Sequence, residues 1–420
     1  MDFENCAFMP ADIMLPAASV PMETWSCVAC DQFTSEPEYW EKAEETAAGA
    51  PSALRLILPE YDLANSDIRV PEIHRAMREY LSEGLLETAV KGGFVLCERR
   101  TEHGVRTGLI GAVDLEQYSY EKGTASPVRP TEQTITSRLP PRLVIRRGAP
   151  VELTHIMLLI DDPGDLVLGP LKAEKASLRK LYDFELMMGG GHLTGYAVER
   201  TAALEGVRSA LDSLKEKAGP EGILLAVGDG NHSLATAKAY WEEIKASLTP
   251  EERQNHPARF ALCEAVNLYD PALLFEPIHR IISGIDRFTL MAEWKKRADS
   301  MGMRISEIPE PGDHVFRIVS ESGEETAAVS NPEGAIPCAT VQNFLDDILA
   351  RCPDAEIDYI HGEDSLRALA KRPETVGLLL PEISKDTFFE DVRRLGTLPR
   401  KTFSMGEARE KRYYTEVRRI

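Results

Sequence analysis

The chain predicts an α/β protein of mixed α+β type, organised as two α/β regions, and three observations carry that expectation. Short apolar runs, Ile156–Ile160, Ile223–Val227 and Val376–Leu380, have the length and bulk of buried strands. Between them lie stretches whose apolar residues recur at helical spacing, and Gly or Pro clusters separate the two kinds of pattern. At 420 residues the chain is long enough for two or three domains.

The first helix signal spans residues 36–45. Thr34 or Ser35 can cap it, Pro37 sits in the first turn where its missing N–H costs nothing, and acids meet the positive helix end. Met77, Leu81, Leu85 and Leu86 predict a helix over 73–89 that Gly92 and Gly93 stop. Residues 94–98 and 105–113 read as an antiparallel pair about a turn at 101–104. A strand at 156–160, a helix at 174–184, a glycine turn at 189–191, a longer helix at 199–217 and a strand at 222–227 follow. After Trp241 the polar, proline-flanked segment 249–257 predicts the boundary, giving domains 1–249 and 250–420. The second carries strands near 258–267, 315–319 and 376–380, with helices near 288–301 and 341–350.

The formal net charge is −20, from 48 Lys+Arg against 68 Asp+Glu. Such acidity repels phosphate backbones, so no nucleic-acid partner is expected. The charge is uneven, however. Residues 129–147 hold five Arg against Glu132, and residues 400–420 hold seven Lys/Arg against three Glu, which predicts that the two basic segments meet around one small anion. Apolar runs fall far short of the roughly 20 residues a membrane helix needs, so no membrane partner is expected. Seven scattered cysteines and an N-terminus without a leader-like pattern make a reducing cytoplasm the expected location. Cys27 and Cys30 have zinc-knuckle spacing without a second ligand pair and read as structural.

Chemistry concentrates at Gly228-Asp229-Gly230-Asn231-His232-Ser233, where a hydrophobic strand turns into an alanine-rich helix. Glycines let the backbone turn with φ > 0, and the following helix start offers unpaired N–H groups and a positive dipole end to an anion. The same residues also read as a plain strand-to-helix turn with Asn231 as cap. No Gly-Lys-Ser/Thr follows, so this is not a Walker A loop, and it lacks the three-glycine dinucleotide fingerprint.

This box, with Asp31-Gln-Phe-Thr-Ser-Glu-Pro-Glu-Tyr-Trp40, Phe275-Glu-Pro-Ile-His-Arg-Ile-Ile282 and Leu398-Pro-Arg-Lys-Thr-Phe403, resembles the domain-of-unknown-function 1015 family over most of the chain. Members of that family usually carry Asp-Gly-His-His-Arg, similar to the box of the ParB and sulfiredoxin-like superfamily, which includes nucleotide-binding proteins and a free-serine kinase. The resemblance implies ATP or ADP with Mg²⁺ as cofactor and a small anionic or phosphorylated ligand as partner. By position, Gly228, Asp229, Gly230, Asn231 and Ser233 would bind phosphates, with Asp229 toward Mg²⁺. His232 and Lys401 would neutralise charge, and Glu36, or secondarily Asp31, would take the acceptor proton. Ser233 stands where the superfamily box has Arg, and Arg138 and Arg142 are candidates to replace that cation. The implied activity is phosphoryl transfer to a small hydroxyl-bearing metabolite such as an amino acid. A non-catalytic phosphate-binding regulatory module and a metal-dependent hydrolase built on Asp229, His232 and Asp31 remain open.

Overall fold

The computed structural model describes Phe3, residues 6–153 and residues 155–420. Two compact units divide the chain, Met1–Leu274 together with Gly406–Ile420 (unit 1) and Phe275–Met405 (unit 2). The architecture is mixed α/β, with 12 α-helices among the described residues and a large curled mixed sheet in unit 1.

The hydrogen-bonded order of that sheet is Val128–Pro130, Leu225–Asp229, Met157–Ile160, Phe260–Asn267, Gly104–Asp114, Leu86–Thr101, Ala11–Pro16, Val417–Arg419 and Val151–Leu153. Most pairings are antiparallel. The parallel ones are 128–130 with 225–227, on one edge of the strand that carries the glycine box, and 157–160 with 264–267, between the next two strands. Side-chain alternation explains why the central strands carry apolar runs, such as residues 94–97, with no polar face. Val95 and Cys97 enter one core with Trp25, Trp40, Ile73 and Met77, while Phe94 and Leu96 enter another with Leu211, Leu214, Leu234 and Trp241. Both sheet faces are therefore covered.

Several local expectations hold. The helix Pro37–Ala47 begins at its proline and buries Tyr39, Trp40, Ala43 and Ala47 at three- and four-residue spacing. Others do not. The second helix is Ser66–Ser82, and Leu86 already belongs to the 16-residue strand that runs through Gly92 and Gly93 to Thr101. There Gly92 bends the strand at φ +57° and donates its N–H to Asp12 at 2.7 Å, so the pair kinks a strand instead of stopping a helix. The expected helix at 174–184 ends at Glu174, and Arg179–Glu185 is a strand paired with His192–Val198. Tyr182 and Phe184, two apart, point into the core; the true period was two.

The expected division at 249/250 falls inside unit 1. Thr249 caps the short helix Pro250–Asn255, and the chain then supplies Phe260–Asn267 to the middle of the same sheet. The last residues return to unit 1, where Val417–Arg419 and Tyr413–Tyr414 pair with strands of the N-terminal half. This tail is an internal element, with Arg412, Thr415 and Glu416 fully buried.

Unit 2 has a seven-stranded sheet among the described residues, ordered Arg304–Ser306, Gly323–Ser330, His314–Ser320, Thr375–Leu379, Phe275–Ser283 and Glu356–His361, with Phe403–Met405 on the start of Phe275–Ser283. Trp294 stacks between Phe316 and Phe344 at centroid distances of 4.9 and 4.0 Å. Residues 275–277 and 403–405 are thus neighbouring strand segments. Between them Arg280, fully buried, donates to the carbonyls of Ile278, Arg400 and Lys401. His279 and Arg280 serve the fold.

Candidate active site at the glycine box

The strand Leu225–Asp229 slips register against Met157–Ile160 after Val227, and Gly230 follows at φ +79°, ψ +27°. A Cβ there would sit 3.1 Å from the Ile156 Cα, so this position favours glycine through both its torsion and its neighbour. The box helix, Asn231–Lys245, starts at once, with no side chain capping it and no acid in its first turn. The first-turn N–H groups are therefore positioned to meet an anion. Asn231 Oδ1 is buried without a hydrogen-bond partner.

Around this helix start unit 1 gathers groups from distant parts of the chain. Asp229 accepts the Gly230 N–H at 3.0 Å, and its other carboxylate oxygen lies 3.6 Å from Lys411 Nζ, with both side chains mostly buried. Ser233 Oγ is 3.1 Å from His155 Nε2, and His155 Nδ1 is 2.9 Å from Tyr414 Oη. Tyr414 in turn donates to Cys30 Sγ at 3.0 Å and accepts the Cys30 N–H at 3.3 Å. Burial pushes the Cys30 thiol up to about 12, with Asp31 adding to the shift, and burial also raises the Tyr414 phenol. Both keep their protons at neutral pH. Asp31 is next in the chain. Burial works against its ionisation, but His155, the Gln32 amide and Lys411 outweigh that and hold its carboxyl below the ordinary value.

The structure places the expected residues unequally. Gly228, Asp229, Gly230, Asn231, His232 and Ser233 form the turn and first helical turn, and Asp31 shares their electrostatic surroundings through Lys411 and His155. Glu36 is exposed at the N-cap position of Pro37–Ala47. His232 Nε2 accepts the Ile135 N–H at 3.3 Å, so the 131–135 loop reaches the box by its backbone. Arg138 is exposed, and Arg142 pairs with Glu60 while lining a cavity that also contains His155 and Ser233. Lys401 belongs to unit 2; the lysine that unit 1 brings to Asp229 is Lys411. The two basic segments do meet, but around an internal carboxylate. Arg146 and Arg418 both lie 2.7 Å from Glu152. Burial alone would raise the Glu152 carboxyl, and these two guanidinium groups hold it low instead.

Sequence reasoning did not single out His155, Tyr414 or Lys411 for this site. Only their chain path brings them to the box, and no local pattern marks them. Among the described residues no group of three or more His, Cys, Asp and Glu could cage a metal ion. A Mg²⁺ ion here would have Asp229 as its protein ligand, and this ion is commonly held beside nucleotides by one or two carboxylates together with phosphate and water. Among the described residues no helix is long and apolar enough to cross a membrane.

These features define a mixed α/β protein with an uncapped, glycine-led helix start flanked by a lysine, two carboxylates and a Ser–His pair. The chain belongs to the DUF1015 family of proteins of unknown function, whose family model matches residues 13–348. No curated protein matches it. Among solved structures it is similar to a mutant free serine kinase in complex with ADP, at 13% identity and a TM-score of 0.40, covering 73% of this chain and 91% of that one. A conserved hypothetical protein from Pyrococcus furiosus aligns at 13% identity and 0.35, over 69% and 88% of the two chains. C-terminally truncated SbnI from Staphylococcus aureus aligns at 8% identity and 0.36, over 71% and 82%.

Proposed function

We propose that unit 1 binds the phosphates of ATP or ADP at the start of the box helix and transfers a phosphoryl group to a small hydroxyl-bearing metabolite. The observation that carries this reading is the convergence of an uncapped helix start with Lys411, Asp229 and Asp31. Gly230 and the first-turn N–H groups cradle phosphate oxygens, and Lys411 offsets charge in the transition state, the role first expected of Lys401. Asp31, ionised at neutral pH, is better placed than the exposed Glu36 to take the acceptor proton. Asp229 would hold a Mg²⁺ ion, which would supply charge neutralisation on the phosphates.

A second reading is a non-catalytic phosphate-binding regulatory module, favoured by Ser233 at the position of the superfamily arginine. The hydrolase reading is weaker, because among the described residues no group of three or more His, Cys, Asp and Glu could hold a metal ion. Thermal-shift titration with ATP, ADP and inorganic phosphate, with and without Mg²⁺, followed by product analysis over a panel of hydroxyl metabolites that includes serine, separates them. Stabilisation with phosphorylated product supports the transferase, and stabilisation without product supports the regulatory module. No shift with any phosphate compound removes both.

A further inference from the structure

We propose that Ser233 is the nucleophile of an acyl-transfer site, with His155 as its base and a small apolar acyl group as its substrate. This goes beyond phosphoryl transfer, uses no nucleotide, and stands or falls separately from it.

The hydrogen-bond chain behind Ser233 has a direction. Tyr414 has one proton, and it goes to Cys30 Sγ at 3.0 Å, while the Cys30 N–H comes in to the phenol oxygen at 3.3 Å. When Tyr414 spends its proton on Cys30, what it offers His155 Nδ1 at 2.9 Å is a lone pair, and in that tautomer Nδ1 carries the ring proton. Nε2 is left as an acceptor, and Ser233 Oγ lies 3.1 Å from it. A hydroxyl facing the free lone pair of a histidine whose other nitrogen is fixed is the arrangement by which proteins activate serine. Asp31, held ionised beside His155, supplies the counter-charge for the imidazolium that forms.

Both reacting groups line one cavity of about 140 Å³, whose other walls are mostly apolar, with Leu56, Ile57, Met77 and Leu262, and also include Arg142, Arg146 and Glu152, each already engaged in an ion pair. That is close to the roughly 150 Å³ of an apolar cavity able to take benzene, so an acyl group of about six carbons or fewer fits. Ser233 lies in the first turn of the box helix, whose N–H groups can receive the oxyanion.

In the reaction Ser233 Oγ attacks the acyl carbon and its proton passes to His155 Nε2. The tetrahedral adduct then collapses, the bond to the leaving group breaks, and that group takes the proton from Nε2. Water, deprotonated by the same nitrogen, releases the acid and restores the serine.

The test is incubation of the full chain with diisopropyl fluorophosphate, which phosphorylates an activated serine with loss of fluoride, read by intact mass and peptide mapping. One adduct on Ser233 is expected, absent in Ser233→Ala and formed at least about 100-fold more slowly in His155→Gln. Ser233→Ala removes a single oxygen atom and keeps the test readable if His155→Gln fails to fold. No adduct, or undiminished labelling of Ser233→Ala, overturns the nucleophile, and a wild-type rate in folded His155→Gln overturns its base. Tyr414 acts as a positioning residue. In Tyr414→Phe the imidazole ¹⁵N shifts should lose their preference for a proton on Nδ1, and unchanged shifts overturn that role. Hydrolysis of p-nitrophenyl esters should fall at least tenfold once the acyl chain exceeds six carbons, and equal rates with long chains overturn the cavity as the acyl site.

Discussion

Each unit contains a strand that turns through a glycine at φ +79° into a helix with no side-chain cap, and the two turns have different fates. At Gly362 the following helix, Glu363–Leu369, fills its first turn with its own acids, and Glu363 is further paired with Arg317 and Arg367 at 2.8 Å each. Nothing lies within 4 Å of a Cβ built on Gly362. At Gly230 the first turn holds Asn231, His232 and Ser233 with no acid, the backbone presses on Ile156, and Lys411 and His155 stand beside the turn. A glycine-led helix start is therefore not a site in itself. What sets the Gly230 turn apart is a first helical turn free of acids and a lysine brought in from the tail, which are what the proposed phosphate site requires.

The sharpest way to separate the units is through buried charge. Arg412 lies 2.5 Å from Glu416 and 3.2 Å from Glu264, all three nearly inaccessible, so Arg412→Met strands two buried carboxylates. A loss of about 3–5 kcal/mol is expected, read as faster hydrogen exchange across unit 1 by mass spectrometry. Arg367→Met, in a half-exposed pair of unit 2, should stay within about 1 kcal/mol. Equal losses would break the contrast.

Acid should act on the units in a definite order. Burial lowers the His279 imidazole to about 4, and its Nδ1 accepts the Leu380 N–H at 3.1 Å. Between about pH 6.5 and 4 the unfolded chain takes a proton there that the folded chain refuses, so unit 2 loses stability as pH falls through that window. In unit 1, Asp31, Glu152 and Glu264 are held below the ordinary carboxyl value, and their contribution is complete above about pH 5 and lost only as pH falls through their lowered folded values. Hydrogen exchange at pH 5 should show unit 2 loosening first. The reverse order would mean that other groups dominate.

The two glycines sharpen the comparison further. Gly230→Ala and Gly362→Ala should each cost about 1–3 kcal/mol of stability from backbone strain, but only the first should also reduce the thermal shift produced by ATP. The last pair of substitutions separates the two lysines. Lys411→Met, which strands the mostly buried Asp229, should cost about 1–3 kcal/mol and abolish the nucleotide shift, whereas Lys401→Met should leave both stability and that shift nearly unchanged. A lost shift in Lys401→Met with a retained one in Lys411→Met would reverse the assignment.

How much of this was legible beforehand follows the range of the interactions. Residues 37–47 and the strand–turn–helix at 225–245 are readable because Pro37, the apolar spacing and the glycines act on their own neighbours. Residues 179–185 misled because two buried aromatics in seven positions fit either period until the partner strand selects one. The glycine box was visible, but its surroundings were not. His155 precedes Ser233 by 78 residues, and Lys411 reaches Asp229 only because the tail threads back through unit 1.

Charge shows the division best. By itself the sequence determined that two basic segments stand out from an acidic chain and that a helix begins after Gly230, since composition and torsional preference are local properties. Only the tertiary structure decided where those charges go. Desolvation makes a buried cation require acceptors close by, and in unit 1 carboxylates supply many of them, so Arg146 and Arg418 close on Glu152, Arg412 closes on Glu264 and Glu416, and Lys411 is the tail cation brought to Asp229 at the helix start.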